Sequence, residues 1–233
     1  SATPSPGTLS IQLTIALSGL TALGAEVVWT RLLSLMLGGT VYTFSIILAV
    51  FLLGLGLGSA YGSALGRRAR SPRLALGYAQ FLIALGIAWT AFMIAKSLPY
   101  WPISGGLAKN PWILFQVDMI RCLWAILPPA FIWGASFPIA LAAAAAKGQD
   151  PGRLVGRIYA SNTIGAILGS VGFSLLLIPV FGTQNAGRLL ILLAAASGLI
   201  ALAPLMKPAE KAVRSALEGG ATDGGAPAVK PFA

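Results

Sequence analysis

The sequence predicts an all-α, polytopic membrane protein: a bundle of six transmembrane helices with both termini in the cytoplasm. Its sixteen Lys and Arg and six Asp and Glu are pushed into narrow bands, and six long uncharged runs lie between them. With 57% hydrophobic and 9% charged residues and a mean hydropathy of +0.83, a water-soluble domain would have almost no polar surface to offer water.

The runs are Ser1 to Ala25, Leu32 to Gly66, Leu74 to Ala95, Cys122 to Ala146, Ile158 to Gly187 and Leu189 to Met206. A helix rises about 1.5 Å per residue, so a hydrocarbon layer of about 30 Å needs roughly 20 apolar residues, with about 17 as the short limit. All six qualify, the last being the shortest. Lys and Arg in short loops stay on the cytoplasmic side. Placing the dense cluster Arg67, Arg68, Arg70 and Arg73 inside brings with it Lys147, Arg153, Arg157, Lys207, Lys211, Arg214 and Lys230. Arg31, Lys96, Lys109, Arg121 and Arg188 fall on the other face, and eleven against five sets the orientation. Residues 1–8 read as a flexible N-terminus, 9–206 as the membrane domain, and 207–233, rich in Gly, Ala and Pro, as a cytoplasmic tail or linker. The expected location is a bacterial cytoplasmic (inner) membrane.

The net charge of +10 would suggest nucleic acid in a soluble protein. Here the basic residues flank spans and meet anionic head groups, without the interleaved aromatics that cradle a strand, so no nucleic-acid partner is expected. Cys122 stands alone and His is absent, which excludes an intrachain disulfide and any Cys/His metal cluster or His relay built from this chain. No metal and no cofactor is predicted; bound lipid is.

The first span, about Leu9 to Trp29, ends in Glu26-Val-Val-Trp-Thr-Arg31. Five residues place Glu26 and Arg31 about 140° apart on a helix, poorly set to pair with each other. Glu26 reads either as a carboxylate turned to the bundle interior or as a charge pinning the helix end. The second span carries Gly54, Gly58, Gly62 and Gly66 at intervals of four, a face without side-chain volume that another backbone can approach. Its Leu53-Gly-Leu-Gly-Leu-Gly58 does not complete a dinucleotide fingerprint, and no strand precedes it.

The third span contains Gln80. Beyond it, Tyr100, Trp101, Trp112 and Trp124 read as anchors at the head-group boundary. Asp118 and Arg121 are one turn apart and suited to pairing. Pro128, Pro129 and Pro138 make the fourth span irregular, and the carbonyls they release need partners. The fifth opens with Tyr159-Ala-Ser-Asn162-Thr163, polar groups able to bond across helices, followed by the narrow face of Gly165 and Gly169.

Several stretches together resemble a known family: Glu26-Val-Val-Trp-Thr-Arg-Leu-Leu-Ser34, Gly38-Gly-Thr-Val-Tyr42-Thr-Phe, Phe51-Leu-Leu-Gly-Leu-Gly-Leu-Gly-Ser59, Phe137-Pro138 and Val155-Gly-Arg-Ile-Tyr159 through Ser170. Over roughly residues 9–206 the chain is similar to the membrane region of fused, multi-spanning spermidine-synthase-like proteins, described as a transporter-like domain joined to an aminopropyltransferase-like domain. The resemblance implies a soluble Rossmann-type partner domain using decarboxylated S-adenosylmethionine; no acidic residue here matches that apparatus, so no catalytic residue is assigned. Three functional readings remain open. The favoured one is a non-catalytic scaffold or accessory subunit that packs on partner membrane helices or on further copies of itself. The others are a small-molecule or polyamine transporter module acting as a six-helix half, and the membrane anchor of a separate or missing aminopropyltransferase-like enzyme.

Overall fold

The computed structural model describes residues 6–101, 110–145 and 150–222, with side chains over 8–101, 110–145 and 150–205. Lys109, Lys147 and Lys230, residues 1–5 of the N-terminal segment and 223–233 of the tail lie outside the described residues, as do the side chains of Lys207, Lys211 and Arg214.

Six helical elements follow one another: α1 Pro6–Leu37, α2 Val41–Arg68, α3 Pro72–Phe92, α4 Pro111–Ala144, α5 Pro151–Gly172 and α6 Ile178–Thr222. Their starts are written in the sequence. Ser71-Pro72, Asn110-Pro111 and Asp150-Pro151 each supply a side-chain oxygen that accepts from a backbone N–H of the first turn, followed by a proline at a position whose own donor would have been orphaned. Thr40 caps α2 in the same way through the Thr43 N–H, after Gly38 turns the chain at φ 101. Past α3 the chain tightens into a π turn, Met93–Ser97, and a short 3-10 turn, Leu98–Tyr100.

Among the described residues five helices, not the expected six, are long and apolar enough to cross a membrane: Thr8–Leu37, Val41–Arg68, Pro72–Tyr100, Pro111–Ala144 and Pro151–Leu205. The fifth and sixth uncharged runs are arms of the last of these. Arg188 divides them by charge, but a lone exposed arginine does not interrupt a helix; its guanidinium simply donates to the Asn185 side chain one turn back. The backbone departs from helical geometry at Gly182 instead, with φ 76 and ψ 164, conformations open to glycine. The placement of both termini on one cytoplasmic face rested on six crossings and falls with that count. The first span also runs longer than expected, so Glu26 and Arg31 stand inside α1 rather than at its end.

Two close backbone contacts organise the bundle. A Cβ on Gly58 or Gly62 would run into the carbonyl oxygens of Phe131 and Ala135 on α4, and one on Gly54 would lie 2.5 Å from the Ala130 methyl. Gly66 faces Ala142 and Pro138, and α4 reciprocates with Gly134 against the Leu55 carbonyl. Between α1 and α5, Gly165 and Gly169 sit on the carbonyls of Ala16 and Leu20, answered by Gly19 on Asn162. The third helix lies on α4 and α6, with α1 touching α6 as well. Trp29, Phe51 and Trp133 fill the larger core, with ring centroids 5.6 and 6.1 Å apart about Trp133. A smaller core gathers Ile11, Ile15, Leu76, Ile139 and Ile158.

The prolines of α4 leave it helical throughout, and the carbonyls released by two of them are met from α3. Pro128 cannot donate to the Trp124 carbonyl, which accepts instead from Trp89 Nε1 at 3.1 Å. Pro129 cannot donate to Ala125, whose carbonyl accepts from Thr90 Oγ1 at 2.7 Å.

Leu52, Leu53, Leu82, Leu168, Leu175 and Leu192 are exposed on the outer faces of these helices. An apolar exterior around a core that also holds buried hydroxyls is the arrangement of an integral membrane protein.

Gly58→Leu should cost more than about 3 kcal/mol, because backbone rather than a flexible side chain stands in the way. Gly56→Leu, where nothing lies within 4 Å of the added carbon, should stay within about 0.5 kcal/mol of wild type by thermal unfolding in detergent. Thr90→Val should lower stability by roughly 1 kcal/mol and Thr90→Ser should restore it, a contrast that fails if the Ala125 carbonyl does not depend on the hydroxyl.

Candidate functional site

Two pairs of oppositely charged side chains, one on α4 and one on α1, differ in what they meet. Asp118 and Arg121, three residues apart on α4, form an ion pair of 3.2 Å with side chains only 13% and 11% exposed. Arg121 also donates to the Trp101 carbonyl at 3.1 Å, tying the chain beyond α3 to α4. This arginine is a structural clamp. Asp118 additionally borders a groove of about 650 Å³ walled by Thr40, Tyr42, Trp112 and Phe115, the last two rings stacked 5.7 Å apart.

Glu26 and Arg31 behave differently. Neither makes a hydrogen bond or ion pair within the described residues, yet both line one cleft of about 520 Å³. Helical geometry explains the arrangement. On α1 the two residues are about 140° apart and about 7.5 Å along the axis, with Thr30 and Ser34 at intermediate angles. The cleft takes up that whole arc. Opposite it stand Phe44 of α2, and Ser174 and Ile178. Ser174 belongs to a π turn, Phe173–Leu177, that joins α5 to α6 and ends five residues before the Gly182 break. The irregular segment turns a hydroxyl toward an acid, a base and two hydroxyls of α1, and wider turns of this kind recur at functional positions.

Gln80 is fully buried; its Oε1 accepts from Ser197 Oγ at 2.9 Å, while its Nε2 has no acceptor among the described residues. Tyr159 is 62% exposed and meets the edge of Phe137. Asn162 and Thr163 are half-buried and make no hydrogen bond within the described residues; Asn162 instead provides the backbone against which Gly19 packs. Neither Gln80 nor Asn162 lines the cleft that Glu26 borders. Among the described residues no three His, Cys, Asp or Glu side chains gather at a place that could hold a metal ion.

A second polar array belongs to α1 and was not singled out from the sequence. Thr14, Ser18 and Thr21 are buried on the face that meets α4 and α6. Trp133 Nε1 donates to Thr21 Oγ1, Thr21 to the Ser18 carbonyl, and Ser136 to the Trp133 carbonyl. With the Ser136 proton so used, Ser18 donates across to Ser136 Oγ at 3.2 Å, which closes a four-residue ring. Below it Thr14 reaches the Ser10 and Ser197 carbonyls, and Arg73 of α3 donates to Ser10. The intervals Ser10, Thr14, Ser18 and Thr21 were the available signal: polar residues every three or four positions in an otherwise apolar helix.

If water fills the cleft, Ser174→Cys in nanodiscs should react with a membrane-impermeant thiosulfonate at least about tenfold faster than Leu175→Cys, whose side chain points outward. The buried Cys122 supplies a low background, and equal rates for the two variants would show a dry cleft. No protein-family model matches this chain, and no curated protein or solved structure matches it.

Proposed function

We propose that the chain is a transporter-type membrane module that binds a small polar or charged molecule in the cleft between α1, α2 and the α5–α6 junction. One observation carries the reading: an acid and a base, Glu26 and Arg31, share that cleft with no partner in the described structure. Ionised groups within membrane helices are costly unless they are matched, and those left unmatched mark ligand or ion paths. The π turn and the Gly182 break beside the cleft supply the irregular backbone that such paths use. The resemblance to a transporter-like membrane region points the same way.

The scaffold reading drew on the glycine faces of α2 and α5. Gly54, Gly58, Gly62, Gly66, Gly165 and Gly169 are taken up by this chain's own α4 and α1, so they leave no recess for a partner helix. On the proposed reading the protein resides in a bacterial cytoplasmic membrane and lipid covers its exposed leucines.

Proteoliposomes carrying the full chain should accumulate at least one member of a pooled set of radiolabelled amines, amino acids and organic acids above protein-free vesicles. Glu26→Gln should reduce that uptake at least about tenfold while leaving the thermal midpoint in place. Uptake indistinguishable from protein-free vesicles across the whole pool would sink the proposal.

A further inference from the structure

The arrangement of charges in the cleft restricts the chemistry of its occupant. A purely cationic ligand would satisfy Glu26 and place a second positive charge near Arg31; a purely anionic one would do the reverse. Since the two side chains do not neutralise each other, an occupant that satisfies both must itself carry both signs. We infer that the cleft recognises a zwitterion, a small frame bearing an ammonium and a carboxylate or phosphate, with the ammonium at Glu26 and the anion at Arg31. This deepens the proposed function and rests on it.

The recognition groups suit that orientation. A planar guanidinium presents paired N–H donors that match the two oxygens of a carboxylate or phosphate, whereas the glutamate carboxylate only accepts and fits an ammonium. Thr30, Ser34 and Ser174 lie along the same cleft, and each hydroxyl can donate or accept between the two charged ends. Phe44 and Ile178 complete the wall with apolar surface, which lowers the local dielectric and strengthens both charge contacts. Asp118 and Arg121, by contrast, are already matched by each other and by Trp101, so the aromatic groove beside them makes no such demand.

Two sources carry this chemistry: a free amino acid and the head group of phosphatidylethanolamine. The test uses the purified full chain in nanodiscs. Glycine and 4-aminobutyrate serve as zwitterions of two spacings, putrescine as a dication and succinate as a dianion, each titrated calorimetrically in phosphatidylglycerol discs. In parallel, native mass spectrometry follows retained lipid after release from phosphatidylethanolamine discs. A soluble occupant gives binding of a zwitterion but of neither single-sign probe. A lipid occupant gives a retained phosphatidylethanolamine instead. In either arm Glu26→Gln and Arg31→Gln should each weaken binding at least about tenfold. Arg31 is exposed, so Arg31→Gln keeps the fold and gives a valid result even if Glu26→Gln does not. Binding of putrescine or succinate alone, insensitive to one of the two substitutions, overturns the zwitterion and leaves the transport reading standing. No binding of any probe and no retained lipid overturns the zwitterion, and the transport reading then falls only if the pooled uptake fails as well.

Discussion

A carbonyl without a donor has no water to turn to inside a hydrocarbon layer, and that single constraint shapes the contact between α3 and α4. Pro128 and Pro129 remove two consecutive donors from α4 where it is packed on both sides. Trp89 and Thr90, likewise consecutive, place an indole N–H and a hydroxyl on the two released oxygens. The match fixes both the rotation of α3 and its height against α4, because a slip of one residue would separate both donors from both acceptors. Gly86, packed against Pro129, allows the backbones close enough for those bonds to form. The glycine ladder of α2 holds the other side of α4, so this helix is positioned from two directions by different means.

The same demand appears within α1, where hydroxyls rather than glycines make the contact. Each proton of the Trp133, Thr21, Ser18 and Ser136 ring has an acceptor, so a polar strip crosses the apolar core without leaving a donor idle. Gln80 is less complete, with its carbonyl oxygen engaged and its nitrogen without an acceptor among the described residues.

Charge bands did not mark the helix starts: α4 begins at Pro111 and α5 at Pro151, ahead of the uncharged runs from Cys122 and Ile158, because a capping oxygen followed by a proline sets the first turn whatever charges follow. The narrow faces of α2 and α5 could be read from spacing, but not which helix fills them, since the filling residues lie more than a hundred positions away on α1 or some seventy away on α4. Charge bands misled at Arg188, where they divide a helical element that the backbone divides at Gly182. A charge informs about solvent and lipid; a positive φ informs about the chain's path, and the two did not coincide. The hydroxyl strip of α1 was visible at intervals of three and four, yet Ser and Thr in a membrane helix can bond to their own preceding turn, so spacing alone does not show that they meet another helix.

The two acid and base pairs show how much a difference of two residues decides. At a spacing of three, Asp118 and Arg121 lie on one side of α4, meet directly, and become part of the framework. At a spacing of five, Glu26 and Arg31 straddle a broad arc of α1, and each is held away from the other by the helix that carries both. The facing wall supplies a serine from a π turn and no counter-charge, so the bundle keeps two opposite charges in reach of one cavity without letting them cancel. Retaining that separation in a membrane costs solvation that a shift of one residue in sequence, to a spacing of four, would recover through an intrahelical pair. On the proposed reading, the cost is offset when a molecule carrying both signs occupies the cleft, and a bundle so built would discriminate against ligands of one sign by the charge they leave unmatched.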